Sequence, residues 1–245
     1  LYSSAASDVY KRQEYAEFVD LNKLGAVVTK GVANVPWPGN PTPRVAEVYG
    51  GMLNAVGLQN PGIDLFVERD IPFLKQFDTK IMVNVCGHST EEYIEVVERL
   101  SDQPVDLLEI NISCPNVKEG GIAFGQDPKA VEAITKEMKK HAAQPVIMKL
   151  SPNVTDITEM ARAAEAGGAD GLSLINTITG MKIDINRQKF VLANKTGGMS
   201  GPAIHPVAVR MVYQTAQAVS IPIVGMGGIM NAEDTIAVSY THLTL

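Results

Sequence analysis

The six-residue segment 111–116, which reads Asn-Ile-Ser-Cys-Pro-Asn, concentrates side chains that could do chemistry. It places two amides, a hydroxyl and the thiol of Cys114 directly after an apolar run. Alternation along a strand puts Asn111 and Ser113 on the same face. A thiol at the end of a strand is available for chemistry. The alternative is an inert buried thiol, a description that fits Cys86 better because no polar motif surrounds it.

Other apolar runs also end in polar side chains. Lys30 follows one run, Asn84 lies within another, Lys149 ends a third, and Asn176 and Thr177 follow a fourth. Taken singly, Lys30 could be a solvated strand end and Asn84 could bond to backbone if buried. A buried Lys149 needs a partner, and an anionic or electron-rich ligand would satisfy it. The repetition at successive strand ends indicates a binding site.

Two glycine-rich segments late in the chain predict phosphate binding. Residues 225–229, Gly-Met-Gly-Gly-Ile, open a helix near Asn231, and residues 197–202 form a second such turn before a helix. Backbone amides on a glycine turn that leads into a helix bind phosphate readily. Each turn alone is a weak signal, but with the polar strand ends they indicate a phosphate-bearing cofactor.

These residues sit on alternating strand and helix patterns. Short apolar runs at 26–29, 81–85, 107–112, 146–150, 171–175 and 221–226 fit strands buried on both faces. Between them, amphipathic helices are predicted at 90–100, 128–141, 155–166 and 206–219. Ser89 and Glu92 have the spacing of a capping box, and Gly167-Gly168 forms a helix stop. The pattern predicts an α/β fold with a parallel sheet, in particular a TIM (β/α)8 barrel, whose chemistry lies at the C-terminal strand ends.

Composition narrows the possible functions. The 245 residues are 45% hydrophobic with a net charge of −6, which suits one barrel-sized domain and gives no basic stripe for nucleic acid. Two cysteines without repeated spacing predict neither a disulfide framework nor a metal site, and favour a reducing cytoplasm. No apolar stretch approaches the roughly 20 residues of a membrane helix, and no segment resembles a signal peptide.

Both ends fall outside the pattern. Residues 1–13 show neither the helical nor the strand periodicity. Residues 239–245 follow a predicted helix start but do not continue its pattern. We expect 14–237 to be the native catalytic barrel and 1–13 and 238–245 to be foreign; two disordered native termini are the alternative. A closed barrel needs two strands beyond the six predicted, so we expect a barrel truncated at both ends.

Several motifs, in order, resemble class 1 dihydroorotate dehydrogenases over residues 14–237. They are Gly-Asn-Pro-Thr-Pro-Arg (39–44), Met-Leu-Asn-Ala-Val-Gly-Leu-Gln-Asn-Pro-Gly (52–62), Asn-Ile-Ser-Cys-Pro-Asn-Val-Lys (111–118), Lys-Leu-Ser-Pro-Asn-Val-Thr (149–155), Ile-Asn-Thr (175–177) and Gly-Met-Gly-Gly (225–228). The asparagine loop 54–62, with Gly120-Gly121, resembles class 1B. Cys114 argues against class 2, which uses a serine base, as does the lack of a membrane-binding extension.

The resemblance implies a reaction and partners. The expected activity is oxidation of dihydroorotate to orotate in de novo pyrimidine synthesis, with Cys114 taking a proton from C5 and FMN accepting the hydride from C6. Class 1B also implies a homodimer within a heterotetramer. Its separate electron-transfer subunit carries FAD and a 2Fe-2S cluster and passes electrons to NAD.

The same resemblance assigns site residues. Those expected to bind substrate are Lys30, Asn54, Ala55, Val56, Gly57, Leu58, Asn111, Asn176 and Thr177. Those expected to bind FMN are Lys30, Asn84, Asn111, Lys149, Ile175, Gly201, Gly227 and Gly228. The glycine-containing loop 115–127 is expected to act as a lid that excludes water; an ordinary surface loop is the alternative.

The chain departs from the family at its ends, where the first strand with its glycine-serine loop and the last strand with its glycine-threonine pair are missing. Two alternatives therefore stay open. One is a dihydropyrimidine dehydrogenase-like flavin barrel, in which a cysteine acts as general acid on uracil or thymine. The other is an inactive truncated fragment that binds flavin weakly or not at all.

Overall fold

A parallel sheet surrounded by helices dominates the protein. The computed structural model describes residues 16–113 and 121–240, without the side chains of 121–123. The strands in chain order are β1 Ala26–Val28, β2 Val45–Val48, β3 Gly51–Asn54, β4 Lys80–Val85, β5 Leu107–Asn111, β6 Val146–Lys149, β7 Gly171–Leu174, β8 Ile178–Met181, β9 Ile183–Asp184, β10 Lys189–Phe190, β11 Thr196–Ser200 and β12 Ile223–Gly225. The main sheet has the order β1-β4-β5-β6-β7-β12, all parallel.

Helices connect these parallel strands. The longer ones are α1 Thr90–Ser101, α2 Pro128–His141, α3 Ile157–Ala166, α4 His205–Ala216 and α5 Ala232–Tyr240. Short helical segments occupy Leu21–Lys23, Ile63–Leu65, Phe66–Asp70, Ile71–Leu74, Gly121–Gln126 and Pro202–Ile204. Side-chain caps fix where α1, α2 and α3 begin: Ser89, Asp127 and Asp156 each accept a bond from a backbone N–H in the first turn. Strands that alternate with helices and lie in sequence order are the arrangement of a TIM barrel, as predicted.

The two faces of the main sheet differ in chemistry. Residues such as Val83, Ile110 and Leu172 are fully buried on the face that packs against the helices. On the opposite face Val28, Met82 and Ile147 form a small apolar cluster. Alternation along the strands then brings polar side chains to that same face, two residues nearer the C-terminal strand ends.

Two aspartates anchor the N-terminal ends of neighbouring strands. Asp106, before β5, accepts bonds from Ile81 N–H at 2.9 Å and from Lys80 Nζ at 2.9 Å. Asp170, before β7, accepts bonds from Val146 N–H at 2.7 Å and Lys139 Nζ at 2.6 Å. Each carboxylate therefore fixes the strand beside its own.

A second, antiparallel sheet of order β2-β3-β11-β8 was not predicted, nor was the pairing of β9 with β10. The prediction of a glycine turn at 197–202 was wrong for residues 197–200, which belong to β11; only Gly201, with φ of 114°, turns the chain. The glycines of β11 instead allow neighbouring segments of the chain to approach the strand closely. A Cβ at Gly197 would lie 2.7 Å from the Asn54 carbonyl oxygen, and one at Gly198 would overlap the Thr177 hydroxyl.

The remaining predictions from pattern agree closely with the structure. The six predicted barrel strands and four predicted helices are present, with ends displaced by a few residues. Within the described ranges, no helix combines the length and apolar character required to cross a bilayer. Helix α5 runs through Tyr240, while residues 1–15 and 241–245 lie outside the described residues. The expectation of foreign ends stays a prediction.

Replacing Asp106 by Asn tests the strand anchor. Desolvation by partial burial raises the pKa of the Asp106 carboxyl, but bonds from Ile81 N–H and Lys80 outweigh it and hold the pKa below its usual value. We expect Asp106→Asn to lower the free energy of unfolding by roughly 1–2 kcal/mol at neutral pH, because a charge-assisted bond is lost at a partly solvated site. Urea denaturation measures this loss.

The stability difference between the unaltered protein and Asp106→Asn should depend on pH in a defined direction. A carboxyl with a lowered folded-state pKa stabilises the fold above its unfolded pKa of about 3.9 and loses the effect as pH falls through the folded value. The difference between the two proteins should therefore shrink below about pH 4. Asp102→Asn, at the exposed end of α1, is the control and should change stability by less than about 0.5 kcal/mol. A pH-independent difference would contradict the assignment.

Candidate active site

A layer of polar side chains crosses the inner face of the main sheet. Glu109 on β5 is fully buried, and its Oε2 accepts bonds from Asn84 Nδ2 at 2.5 Å and Lys149 Nζ at 3.3 Å. Its Oε1 accepts a bond from the Ser173 hydroxyl at 2.6 Å. Strand register explains the grouping, since Asn84 pairs with Glu109 and Lys149 with Ser173 in parallel neighbours. We call these four residues the polar layer.

A chain of hydrogen bonds leads from the polar layer to the C-terminal strand ends. Asn111 Nδ2 donates to Asn84 Oδ1 at 3.2 Å, and Asn111 Oδ1 accepts from the Ser113 hydroxyl at 2.9 Å. Asn176 Nδ2 donates to Ser113 Oγ at 2.7 Å. Tyr93 of α1 holds the same strand end by donating its hydroxyl to the Asn111 carbonyl at 2.7 Å. Three amides predicted to bind ligand are thus connected.

The loop after β3 reaches the same end of the barrel. A Cβ on Gly31, just after β1, would lie 3.1 Å from Leu58 Cδ2 and 3.2 Å from Asn84 Oδ1. Asn60 shapes the loop: its Oδ1 accepts from Ala33 N–H and its Nδ2 donates to the Leu58 carbonyl at 2.6 Å. The predicted substrate residues Ala55, Val56 and Gly57 lie in this loop, beside Asn40, whose Nδ2 donates to the Ala55 carbonyl.

The second sheet meets the main sheet beside Thr177. Asn54, at the end of β3, donates from Nδ2 to the Gly198 carbonyl at 3.4 Å, and Gly198 lies against Thr177. Asn153 Nδ2 donates to the Thr177 carbonyl at 3.0 Å. Residues far apart in sequence therefore form one edge of the site.

The predicted phosphate glycines come together at the start of α4. A Cβ on Gly228 would lie 2.6 Å from the Gly201 carbonyl oxygen and 2.8 Å from the His205 backbone nitrogen. Gly201, Gly227 and Gly228 all have positive φ. Ile175, buried after β7, lies against Gly227. The first N–H of α4, at His205, donates to the Pro202 carbonyl, and Pro206 has no N–H, so this glycine cradle is formed by the three glycines rather than by the first N–H groups of the helix.

Two further predicted site residues are Lys30 and Cys114. Lys30 follows β1 and is partly buried; Thr29 holds the segment by donating its hydroxyl to the Lys30 carbonyl and accepting from Asn84 N–H at 2.8 Å. Cys114 lies outside the described residues, one position after Ser113. Residues 115–120 of the predicted lid also lie outside them, and residues 121–126 form a short 3-10 segment.

Sequence reasoning missed Glu109 and Ser173 as members of the network, and it placed Ser113 on the face of Asn111 without giving it a role. The signal was available for Glu109: a carboxylate within the apolar run 107–112, two positions before Asn111, shares its face. The expectation that Lys149 would need a ligand overlooked this partner. Ser173 carried no signal, because a single serine in an apolar strand is common.

Comparison with known proteins decides the family. The family model described as dihydroorotate dehydrogenase matches residues 4–240. The chain belongs to the dihydroorotate dehydrogenase family. Relatives from Lachnoclostridium phytofermentans and Alkaliphilus metalliredigens are 76% and 66% identical over 223 and 224 residues, each match covering 91% of this chain and 74% of the relative. One from Geobacillus kaustophilus is 56% identical over 229 residues, covering 93% and 73%.

The names of these relatives agree with the predicted subtype. All three are called dihydroorotate dehydrogenase B (NAD(+)), catalytic subunit. Dihydroorotate dehydrogenases are flavin-dependent oxidoreductases. The class 1B resemblance drawn from the asparagine loop is therefore confirmed at the level of the family and its NAD-linked branch.

Gly198→Ala tests the contact between the two sheets. The added Cβ would overlap the Thr177 hydroxyl, so β11 or the segment after β7 must move. We expect the free energy of unfolding to fall by about 1–3 kcal/mol, as for other overpacked sites. Gly180→Ala on the paired strand is the control, because its Cβ would meet only the end of the Leu53 side chain at 3.0 Å. Equal losses in urea denaturation would show that close approach at Gly198 does not matter.

Proposed function

We propose that this chain catalyses the oxidation of dihydroorotate to orotate, with FMN as its cofactor and NAD as the final electron acceptor. The observation that carries the proposal is the hydrogen-bonded series of amides at the strand ends, from Asn84 through Asn111 to Asn176. Relatives of high identity carry the corresponding name. That name favours dihydroorotate over the uracil or thymine of the related flavin barrels.

The site has the chemistry that FMN requires. Gly201, Gly227 and Gly228 meet with positive φ beside the start of α4, and glycine turns of this kind bind phosphate through backbone N–H groups. Lys149 offers a buried cation for the isoalloxazine ring, and Asn84 and Ile175 offer polar and apolar borders. The FMN-binding set also includes Lys30 and Asn111.

The amides suit the substrate in the same way. An asparagine carries both a donor and an acceptor, so Asn54, Asn111 and Asn176 can match the edge of a dihydropyrimidine ring. Lys30 supplies a positive charge for its carboxylate. The loop residues 55–58 and Thr177 would complete the enclosure.

Proton removal is assigned to Cys114. Its neighbour Ser113 is fully buried and bonded to both Asn111 and Asn176, two of the proposed substrate residues. The thiolate takes the proton from C5 of dihydroorotate, and nearby positive charge raises the thiolate fraction of a cysteine. FMN, when bound, accepts the hydride from C6.

The proposed assembly follows from the names of the relatives, each a catalytic subunit. We assign to this chain an electron-transfer subunit carrying FAD and a 2Fe-2S cluster, within a heterotetramer built on a homodimer of catalytic chains. Copurification with such a subunit from the source cell tests this assignment.

The first experiment follows the flavin absorbance. The chain is reconstituted with FMN, made anaerobic and mixed with dihydroorotate. Rapid bleaching is expected, since hydride transfer reduces the flavin without any acceptor. A yellow protein that ignores dihydroorotate but reacts with dihydrouracil would favour the related pyrimidine barrel. A chain that retains no FMN would contradict the cofactor assignment.

Cys114→Ala should remove the base but spare the cofactor. We expect FMN binding to be retained and the rate of flavin reduction by dihydroorotate to fall by roughly 10²–10⁴-fold, the usual contribution of a general base. Stopped-flow absorbance measures the rate. Cys86→Ala, which removes a buried thiol packed against Trp37, is the control and should keep a rate near that of the unaltered protein. Normal reduction in Cys114→Ala would refute the assignment.

Lys30→Ala should weaken substrate binding more than FMN retention. Loss of one charge-assisted bond to the carboxylate should raise KM for dihydroorotate roughly tenfold to a hundredfold. Lys23→Ala, in the exposed short helix Leu21–Lys23, is the matched control. An unchanged KM together with loss of FMN would assign Lys30 to the cofactor alone.

A further inference from the structure

Glu109 is a buried carboxylate to which the proposed reaction gives no task. Its side chain has 0% exposure, and it receives hydrogen bonds from Asn84, Lys149 and Ser173. Asn84 must present its Nδ2 to Glu109, because its Oδ1 already accepts from Asn111. Two donors on Oε2 and a third on Oε1 form the arrangement that suits an ionised carboxylate. The polar layer therefore holds a negative as well as a positive charge.

The position of Glu109 places it below the reacting atoms. It lies two residues before Asn111 on β5, so it sits about 6–7 Å deeper along the strand. Lys149, on the next strand, pairs in register with Asn111. Lys149 Nζ lies 3.3 Å from Glu109 Oε2, so both charges lie on the face whose strand ends are proposed to hold the flavin.

We propose that Glu109 is a positioning residue that sets the reduction potential of the bound flavin, by holding Lys149 in place and opposing its charge. The inference rests on the proposed function, since it requires FMN beside Lys149. Reduction adds negative charge to the flavin, which an ammonium group favours and a carboxylate opposes. Both effects are strong in a buried, poorly solvated layer.

The ion pair of Glu109 and Lys149 affects how readily the flavin passes its electrons to the next carrier. Lys149 alone would make the flavin easy to reduce and slow to give up its electrons. Glu109 lowers the potential again, so that electrons taken from the substrate remain available to the next carrier. A purely structural pair would not require charge, because apolar side chains of similar volume often stabilise a fold as well as a buried ion pair does.

Glu109→Gln in the full chain reconstituted with FMN tests the inference. The substitution keeps the size of the side chain and removes its charge. We expect the midpoint potential, measured by equilibration with a reference dye, to become more positive by at least about 30 mV, which is a tenfold change in the equilibrium constant of a two-electron couple. Lys149→Met should shift the potential in the opposite direction.

Ser173→Ala is the matched control, because it removes one bond to Glu109 and leaves both charges. It should change the equilibrium constant for reduction by less than about twofold. A structural role for the carboxylate would instead give Ser173→Ala and Glu109→Gln similar shifts. A potential in Glu109→Gln that is unchanged or more negative would overturn the inference.

A double variant covers the case in which Glu109→Gln does not fold because Lys149 is left unpaired. The single variant Lys149→Met is compared with the double variant Lys149→Met/Glu109→Gln. The two proteins differ only in the carboxylate charge, and neither has the ammonium group of Lys149. The double variant should have the more positive potential, and equality would overturn the inference. Failure of the unaltered chain to bind FMN is a different result, which would overturn the proposed function and this inference with it.

Discussion

The ion pair of Glu109 and Lys149 is the constraint around which the inner face of the barrel is arranged. An ammonium group that is 4% exposed cannot stay there without a partner, and removal of one member of such a pair costs about 3–5 kcal/mol. Glu109 meets that need, and its remaining acceptor positions are met by Asn84 and Ser173. Because each partner stands on a different strand, one carboxylate links β4, β5, β6 and β7.

The buried ion pair also sets the orientation of the amides in the site at the strand ends. Asn84 turns its oxygen toward Asn111, and Asn111 in turn orders Ser113 and Asn176. Orientation of the amides matters because an asparagine turned over presents a donor where an acceptor is required. The deeply buried charges thereby determine which atoms the strand ends offer to a ligand. The same dependence makes the layer a sensitive place for substitution, since a half-satisfied buried network is worse than none.

The sequence predicted the barrel elements well because their signals are local. Continuous apolar runs marked the six parallel strands, and capping residues such as Ser89 marked helix starts. The second sheet could not be predicted, because β3 and β11 pair across more than a hundred residues and carry glycines that suggest turns. Polar residues at strand ends indicated the site, but the partner of each was set by register between strands, which periodicity alone does not give. Family resemblance supplied the roles, and the position of Cys114 lies outside the described residues.

The second sheet also has a consequence for the order in which the protein assembles. Strands β2 and β3 come from the first quarter of the chain, while β8 and β11 follow β7. Pairing of β3 with β11 closes a loop of more than a hundred residues, and this costs conformational entropy before the two strands form any contact. The barrel strands from β4 to β7 are joined by local βαβ connections and do not have this large entropy cost. We therefore expect the second sheet, with Asn54 at the end of β3, to form after the main sheet, on a template that is already in place.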